Sequence, residues 1–153
     1  MESVPDAKIR CVRRHELEAV VALCAEHAKF EGSSFSSHGK AEMLGRALFQ
    51  VPTRAWCVVM ERRSEIAGYA VCSREFSTWL ATEYLHLDCL FLRSEHRDAG
   101  LGTRVMSVVA QHARDLGCSH VEWQTPAWNA EAARFYDHLG AVASPKLRYR
   151  WKL

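Results

Sequence analysis

Residues 97–102, which read Arg-Asp-Ala-Gly-Leu-Gly, carry the strongest chemical signal in this sequence. They lie between a predicted strand that ends at Leu92 and a helix that is expected to begin near Gly100. The two glycines allow the backbone to approach a ligand closely, because glycine has no Cβ. The first amides of a helix lack internal acceptors and lie at the positive end of its dipole, where phosphate binds. The segment therefore predicts a phosphate site, to which Arg97 adds a charged side chain.

Other phosphate-binding motifs fit these glycines poorly. No Gly-Lys-Ser/Thr follows them, so the segment is not a Walker loop. A dinucleotide-binding fold would begin with its strand and glycine turn, whereas this turn lies two-thirds along the chain. Paired Cys or His spacings and a His-Glu-x-x-His pattern are absent from the sequence, so no metal site is predicted.

Asp88 is a second residue whose position needs a chemical reason. It lies within the apolar strand predicted over residues 84–92. A carboxylate in such a strand is costly to bury unless it is paired. It is therefore either paired with another polar group or placed on a solvated face of the strand.

Apolar periodicity and turn residues predict the elements that must position these groups. Strands are predicted over residues 7–14, 56–60, 65–76, 84–92, 121–124 and 146–153, and helices over 15–30, 40–49, 100–116 and 129–139. The order β-α-α-β-β-β-α-β-α-β predicts an α/β (α+β) three-layer fold, in which a mixed, mostly antiparallel sheet has helices on both faces.

The last predicted strand, residues 146–153, has a strict alternation. Leu147, Tyr149, Trp151 and Leu153 share one face, and lysines and arginines occupy the other. This pattern is typical of a half-exposed strand, whose charges protect an edge more often than they bind nucleic acid.

Length, composition and charge exclude several protein classes. A chain of 153 residues with 48% hydrophobic and 25% charged residues predicts one globular domain, residues 1–153. A net charge of +2 is too small to indicate nucleic acid or a membrane surface as a partner. The apolar runs are too short to span a bilayer, and the first residues do not resemble a secretory signal. Six cysteines without a Cys-x-x-Cys pair predict free buried thiols in a reducing cytoplasm.

A second motif, at residues 129–140, gives the chain a family resemblance. It reads Asn-x-x-Ala-x-x-Phe-Tyr-x-x-x-Gly, and 26 residues separate it from Gly102. Together the two motifs resemble the pyrophosphate loop and the late motif of the GNAT acyl-CoA N-acetyltransferase superfamily, and the resemblance covers the chain from about Ile9 to the end. Within that superfamily, residues 28–31 (Ala-Lys-Phe-Glu), residues 86–92 and the pair Trp128-Asn129 resemble the spermidine/spermine (diamine) and thialysine acetyltransferases.

The resemblance implies a site for acetyl-CoA between the strand at 84–92 and the strand at 121–124. Main-chain groups of the first strand would pair with the pantetheine arm, amides of the glycine loop would hold the pyrophosphate, and no metal would be required. The implied cofactor contacts are Leu90, Phe91, Leu92, Arg97, Asp98, Ala99, Gly100, Leu101, Gly102, Thr103, Asn129 and Tyr136.

The resemblance also implies the catalytic and acceptor-binding residues. Tyr136 would supply a proton to the leaving thiolate, which suits a phenol with an ordinary pKa of about 10. Asp88 would orient the ammonium group of the substrate or take its proton through water. The implied substrate contacts are Phe30, Glu31, Asp88, Glu122, Trp123 and Gln124.

These observations predict direct acetyl transfer from acetyl-CoA to a primary amine. The expected acceptor is a small polyamine, a diamine or a thialysine-like amino acid. An amine-bearing antibiotic, a protein N-terminus or lysine, and a non-catalytic CoA-binding module remain alternatives, because Cys89 replaces an acidic residue of the relatives and the loop at 141–145 lacks their acidic residues. A homodimer is also expected, since the apolar face of residues 147–153 needs cover.

Overall fold

A five-stranded sheet, in the order β1-β2-β3-β4-β5, forms the frame of the computed structural model, which describes residues 6–97 and 99–153. Its strands are β1 (Ala7–Cys11), β2 (Trp56–Arg62), β3 (Glu65–Ser77), β4 (Thr82–Leu92) and β5 (Val121–Trp123), and the helices are α1 (Leu17–Phe30), α2 (Lys40–Phe49), α3 (Leu101–Asp115) and α4 (Ala130–His138). The first four strands pair antiparallel, and β5 joins β4 in parallel. The predicted fold class is confirmed.

Two apolar cores lie on opposite faces of the sheet. On one face, α1 and α2 cover a core that includes Leu23 and Tyr69. On the other face, α3 buries Val105 and Val109 against Met60, and part of α4 packs on the same core. Each fully buried Val or Leu side chain contributes about 1.5–3 kcal/mol, so these faces hold the helices on the sheet. In the described part of the chain, no helix has the length and hydropathy needed to cross a membrane.

The start of α1 is fixed to the sheet by Arg10. Its guanidinium contacts the carboxylates of Glu16 and Glu61, each at 2.7 Å. The hydrogen bonds from Arg10 hold the pKa of Glu16 at about 2. These contacts explain why β1 ends at Cys11 rather than at residue 14 as predicted, since the chain turns there to place Glu16 beside Arg10.

A β-bulge interrupts β4 at Asp88. Val71 of β3 pairs with Cys89, and Cys72 pairs with Leu87, so Asp88 is the additional residue. A bulge shifts the side-chain alternation by one position. Leu87 therefore belongs to the core under α3, whereas Phe91 belongs to the core under α1 and α2.

The predicted last strand is wrong for the single chain. Residues 141–153 have no regular secondary structure, and Leu147, Tyr149 and Trp151 are each at least 80% exposed. Alternation predicts a strand only where another strand supplies hydrogen bonds and a core covers one face. Within the described residues, the sheet ends at β5 and none of its strands pairs with this segment. We refer to residues 141–153 as the C-terminal segment.

The cysteines are free, as predicted, but they are not all buried. Cys57 and Cys72 lie in the interior, where burial raises their pKa values to about 12 and about 11. Cys11 is exposed at the end of β1, so the prediction of burial is wrong for it. It lies where the edge strand stops and neither helix layer covers it.

Candidate active site

The sheet opens where β4 and β5 separate. β5 pairs with β4 only from Leu85 to Leu87, opposite residues 121–123. Beyond this point β4 continues to Leu92 along β3. Residues 88–92 therefore have no strand partner on the β5 side within the described chain. Main-chain groups of Leu90, Phe91 and Leu92, the predicted coenzyme contacts, lie along this segment.

The first turn of α3 presents amides that have no hydrogen-bond acceptor among the described residues. Gly100 precedes the helix with a φ of 74°, a left-handed conformation that glycine adopts without strain. The amide of Arg104 bonds the Gly100 carbonyl at 3.1 Å, so the amides of Leu101, Gly102 and Thr103 precede the first helical bond. No side chain among the described residues caps this end. Ala99 lies in the bend before it, and Asp98 lies outside the described residues.

Gly102 has a second reason for lacking a side chain. A Cβ at this position would lie 3.0 Å from the ring of Phe135 on α4. The close packing joins the first turn of α3 to the helix that carries Tyr136. The structure therefore links the two sequence motifs through one contact, a link that the spacing of the motifs did not reveal.

Tyr136 lies on α4 in an aromatic cluster. Its ring centroid is 5.0 Å from that of Trp123 on β5 and 5.2 Å from that of Phe135. Burial raises the pKa of Tyr136, and the charge of Glu31 raises it further. The phenol therefore keeps its proton at neutral pH, as a proton donor must. Glu31 and Tyr136, both predicted site residues, are close enough for their charges to interact.

Asp88 is solvated rather than buried. Its side chain is 63% exposed, and a carboxylate oxygen lies 3.8 Å from Nε2 of His86. The Cys89 thiol donates a weak hydrogen bond to the other carboxylate oxygen at 3.5 Å. The bulge turns Asp88 out of both cores, so its carboxylate lies in solvent although the strand around it is apolar.

Arg97 folds onto aromatic side chains. Its guanidinium lies 4.9 Å from the ring centroid of Phe30 and 5.8 Å from that of Phe91. Its Nε donates a hydrogen bond to the Leu92 carbonyl at 2.8 Å. Phe30 also packs 5.8 Å from Trp128, measured between centroids. The end of α1, the end of β4 and the residues before α4 are thereby brought together.

The remaining predicted residues lie around β5 and the start of α4. Glu122 is exposed and contacts Nε2 of His120 at 2.9 Å, and Gln124 is exposed just after the strand. Asn129 caps α4, where its Oδ1 accepts a hydrogen bond from the Ala132 amide at 3.1 Å. The cap fixes the helix that carries Tyr136, a role typical of asparagine at this position.

Sequence reasoning missed two residues that join this region to the interior. His27 on α1 contacts Glu31 through Nε2 at 2.6 Å and the Tyr69 hydroxyl through Nδ1 at 2.9 Å. The i,i+4 spacing of His27 and Glu31 on one helix face was the available signal. Tyr69 gave no such signal in the sequence, because a tyrosine in an apolar strand is usually part of the core.

Comparisons with known proteins agree with this geometry. The family model described as "Acetyltransferase (GNAT) family" matches residues 20–141. A thialysine N-epsilon-acetyltransferase of Caenorhabditis elegans is 29% identical over 125 residues, which cover 82% of this chain and 76% of that protein. The L-ornithine N5-acetyltransferase NATA1 of Arabidopsis thaliana is 32% identical over 76 residues, but these cover 50% of this chain and 33% of that protein.

Solved structures extend the likeness to the whole fold. An aminoglycoside acetyltransferase from an uncultured soil metagenomic sample, solved with trehalose, superposes with a TM-score of 0.81 over 99% of each chain at 16% identity. At this identity the likeness concerns the fold. None of the described residues forms a cluster of three or more His, Cys, Asp or Glu side chains suited to a metal ion.

Proposed function

The chain belongs to the GNAT acetyltransferase family, and we propose that this N-acetyltransferase moves the acetyl group of acetyl-CoA to a primary amine on a small molecule. The acceptor class is a polyamine, a diamine or a thialysine-like amino acid. The observation that carries the proposal is the opening between β4 and β5, with Asp88 at its bulge and Tyr136 on the helix after β5. A thioester in this opening would lie between an acceptor-binding carboxylate and a proton donor.

The described residues fit acetyl-CoA. Unpaired amides at the first turn of α3 suit the pyrophosphate, because anions bind at helix N-termini. The free edge of Leu90–Leu92 offers main-chain donors and acceptors to the amide groups of the pantetheine arm. The guanidinium of Arg97 makes both the contact with Phe30 and the hydrogen bond to the Leu92 carbonyl. A rotation of this one side chain would bring the guanidinium to the phosphate. No step of this binding requires a metal ion.

The reaction requires three proton movements. An alkylammonium group must lose a proton to water before its nitrogen lone pair can attack the thioester carbonyl carbon. After the C–N bond forms, the nitrogen loses a second proton to water. The C–S bond then breaks, and the thiolate of CoA takes a proton from the Tyr136 hydroxyl, which regains one from solvent. A buried phenol with a raised pKa is protonated for this purpose.

The acceptor is expected to be cationic because carboxylates surround the opening. Asp88 and Glu31 approach it from β4 and from the end of α1. Thialysine and ornithine are named as the substrates of two relatives, and each carries an ammonium group on a flexible chain. An aminoglycoside carries several such groups, which keeps an amine-bearing antibiotic as the second acceptor to test.

The test combines binding with turnover. Acetyl-CoA should raise the melting temperature of the protein, and free CoA should be released with thialysine, L-ornithine or spermidine but not with derivatives in which every primary amine is acetylated. Sisomicin and a lysine peptide belong in the same panel as competing acceptor classes. Absence of both a thermal shift and CoA release would refute the proposal, whereas release with the peptide alone would move the acceptor class to proteins.

We further propose a cytoplasmic homodimer. The C-terminal segment exposes Leu147, Tyr149 and Trp151, and β5 has an unpaired edge among the described residues. A second copy supplies both a strand edge and an apolar surface for the segment. The six free cysteines support a reducing location.

A further inference from the structure

His27 lies in a line of hydrogen-bonding groups that runs from the solvent edge into the core. Glu31, at the outer end, is 33% exposed, whereas His27 is 16% exposed. Tyr69, at the inner end, is 1% exposed. The His27 ring also stacks on Phe91, with centroids 5.0 Å apart and planes at 18°. Phe91 belongs to the free segment of β4, so His27 lies directly beneath the proposed coenzyme site.

The chemistry of the partners determines the hydrogen-bond directions. A carboxylate only accepts, so Nε2 of His27 must carry the hydrogen that bonds Glu31. In the neutral ring Nδ1 then has a free lone pair, and the Tyr69 hydroxyl donates to it. When the ring is protonated, Nδ1 donates instead and the Tyr69 oxygen accepts. The Tyr69 hydrogen can then turn to Cys24 or Cys89, both of which lie within hydrogen-bonding reach of that hydroxyl.

The network therefore holds Glu31 from the interior whichever form the ring takes. Tyr69 stays neutral as the inner partner, because burial raises its pKa far above the usual range. Since Nε2 of His27 lies 2.6 Å from the Glu31 carboxylate, the ring limits where that carboxylate can point.

Resting on the proposed function, we propose that His27 is a positioning residue for the acceptor amine. It holds the Glu31 carboxylate at the end of α1, where the charge of Glu31 acts on Tyr136 and can attract the substrate ammonium group.

The kinetic test uses the panel amine that releases CoA fastest. Glu31→Gln should raise KM for this amine about 10-fold at pH 8 with little change in kcat. His27→Phe should also raise KM without lowering kcat, and His27→Phe/Glu31→Gln should match Glu31→Gln alone. His112→Gln is the control, since His112 is another half-buried histidine, packed 5.0 Å from Trp56, and it should leave KM unchanged.

A second measurement does not depend on acetyl transfer. The imidazole 15N chemical shifts of the neutral His27 ring should show the Nε2–H tautomer. Glu31→Gln should reduce the preference for that tautomer. An Nδ1–H tautomer, additive effects in the double variant or an unchanged KM in His27→Phe would each overturn the inference. If no amine is acetylated, the proposed function fails, and the tautomer still decides whether His27 holds Glu31.

Discussion

Tyr136 is the residue on which the proposed chemistry depends most directly. Its burial against Trp123 and Phe135 fixes the ring, and its raised pKa keeps the hydroxyl protonated. We predict that Tyr136→Phe lowers kcat about 100-fold or more, in line with the usual contribution of general acid catalysis. Because the phenyl ring is kept, the KM for acetyl-CoA should change less than about twofold. Steady-state CoA release measures both constants.

The matched control is Tyr149→Phe, which removes a hydroxyl from a side chain that is 86% exposed in the C-terminal segment. It should leave kcat unchanged. A Tyr136→Phe enzyme that turns over at the wild-type rate would remove this residue from the mechanism.

A variant of Asp88 tests the binding of the acceptor rather than the chemical step. Its carboxylate is solvated at the bulge, so it can meet an ammonium group without a large desolvation cost. Asp88→Asn should raise KM for a cationic amine about 10-fold, because charge-assisted hydrogen bonds contribute roughly 1.5–3 kcal/mol. Asp115→Asn, on an exposed carboxylate at the end of α3, serves as the control. Equal KM values for the two variants would exclude a substrate role for Asp88.

The sequence indicated these two residues by different routes. A motif resemblance identified Tyr136, and an isolated carboxylate in an apolar strand drew attention to Asp88. The sequence did not indicate that Asp88 is exposed, because the bulge that turns this residue outward depends on the register between β3 and β4. His27 was missed for the same reason, since its partner Tyr69 is distant in the chain and meets it only through helix packing.

At the level of elements, the pairing of β3 with β4 sets the position of the proposed coenzyme contacts. Gly68 on β3 lies against Phe91 so closely that a Cβ would overlap the Phe91 carbonyl oxygen and the Met60 side chain. Gly68→Ala should therefore lower the free energy of unfolding by about 1–3 kcal/mol, the usual cost of overpacking. It should also weaken the acetyl-CoA thermal shift, since Phe91 must move. Urea denaturation and melting curves measure the two effects.

Gly45→Ala makes the same chemical change on α2, where the Cβ would meet a side-chain methyl group of Leu17 at 3.2 Å and Nη1 of Arg14 at 4.0 Å. Alanine favours a helix by about 1 kcal/mol relative to glycine, so the stability of this variant should stay within about 1 kcal/mol of the wild type. If Gly68→Ala were as stable as Gly45→Ala, the close approach of β3 to Phe91 would not constrain the site.

The elements themselves were largely predictable, because periodicity reports burial that is local to one segment. The apolar stripe of α3 and the alternation of β3 depend on one buried face each, and both elements form where expected. The C-terminal segment shows the limit of this reasoning. Its alternation predicts a strand, but a strand forms only where a neighbouring edge lies within reach, which no pattern in the segment itself reports.

At the scale of the whole molecule, the C-terminal segment is an exposed apolar surface of the described chain. Contiguous exposed apolar side chains mark interaction sites in folded proteins, and an unpaired strand edge is a ready template for another chain. Leu147, Tyr149 and Trp151 alternate with basic residues, so the segment can add a strand that covers one face and leaves its charges in water. The edge of β5 that no described strand pairs with offers such a position in a second copy, which would account for the lack of regular secondary structure in residues 141–153 of one chain.

We therefore predict a dimer at micromolar concentration, measured by size-exclusion chromatography with light scattering. The triple variant Leu147→Ser, Tyr149→Ser and Trp151→Ser should elute as a folded monomer, because it removes the apolar face but keeps the basic residues. The matched variant Lys146→Gln, Arg148→Gln and Arg150→Gln keeps the apolar face and should remain dimeric. A monomeric wild type, or a serine variant that still dimerises, would show that another surface or partner covers this segment. Because β5 carries Trp123 beside Tyr136, loss of the dimer should also lower turnover, which links assembly to the proposed active site.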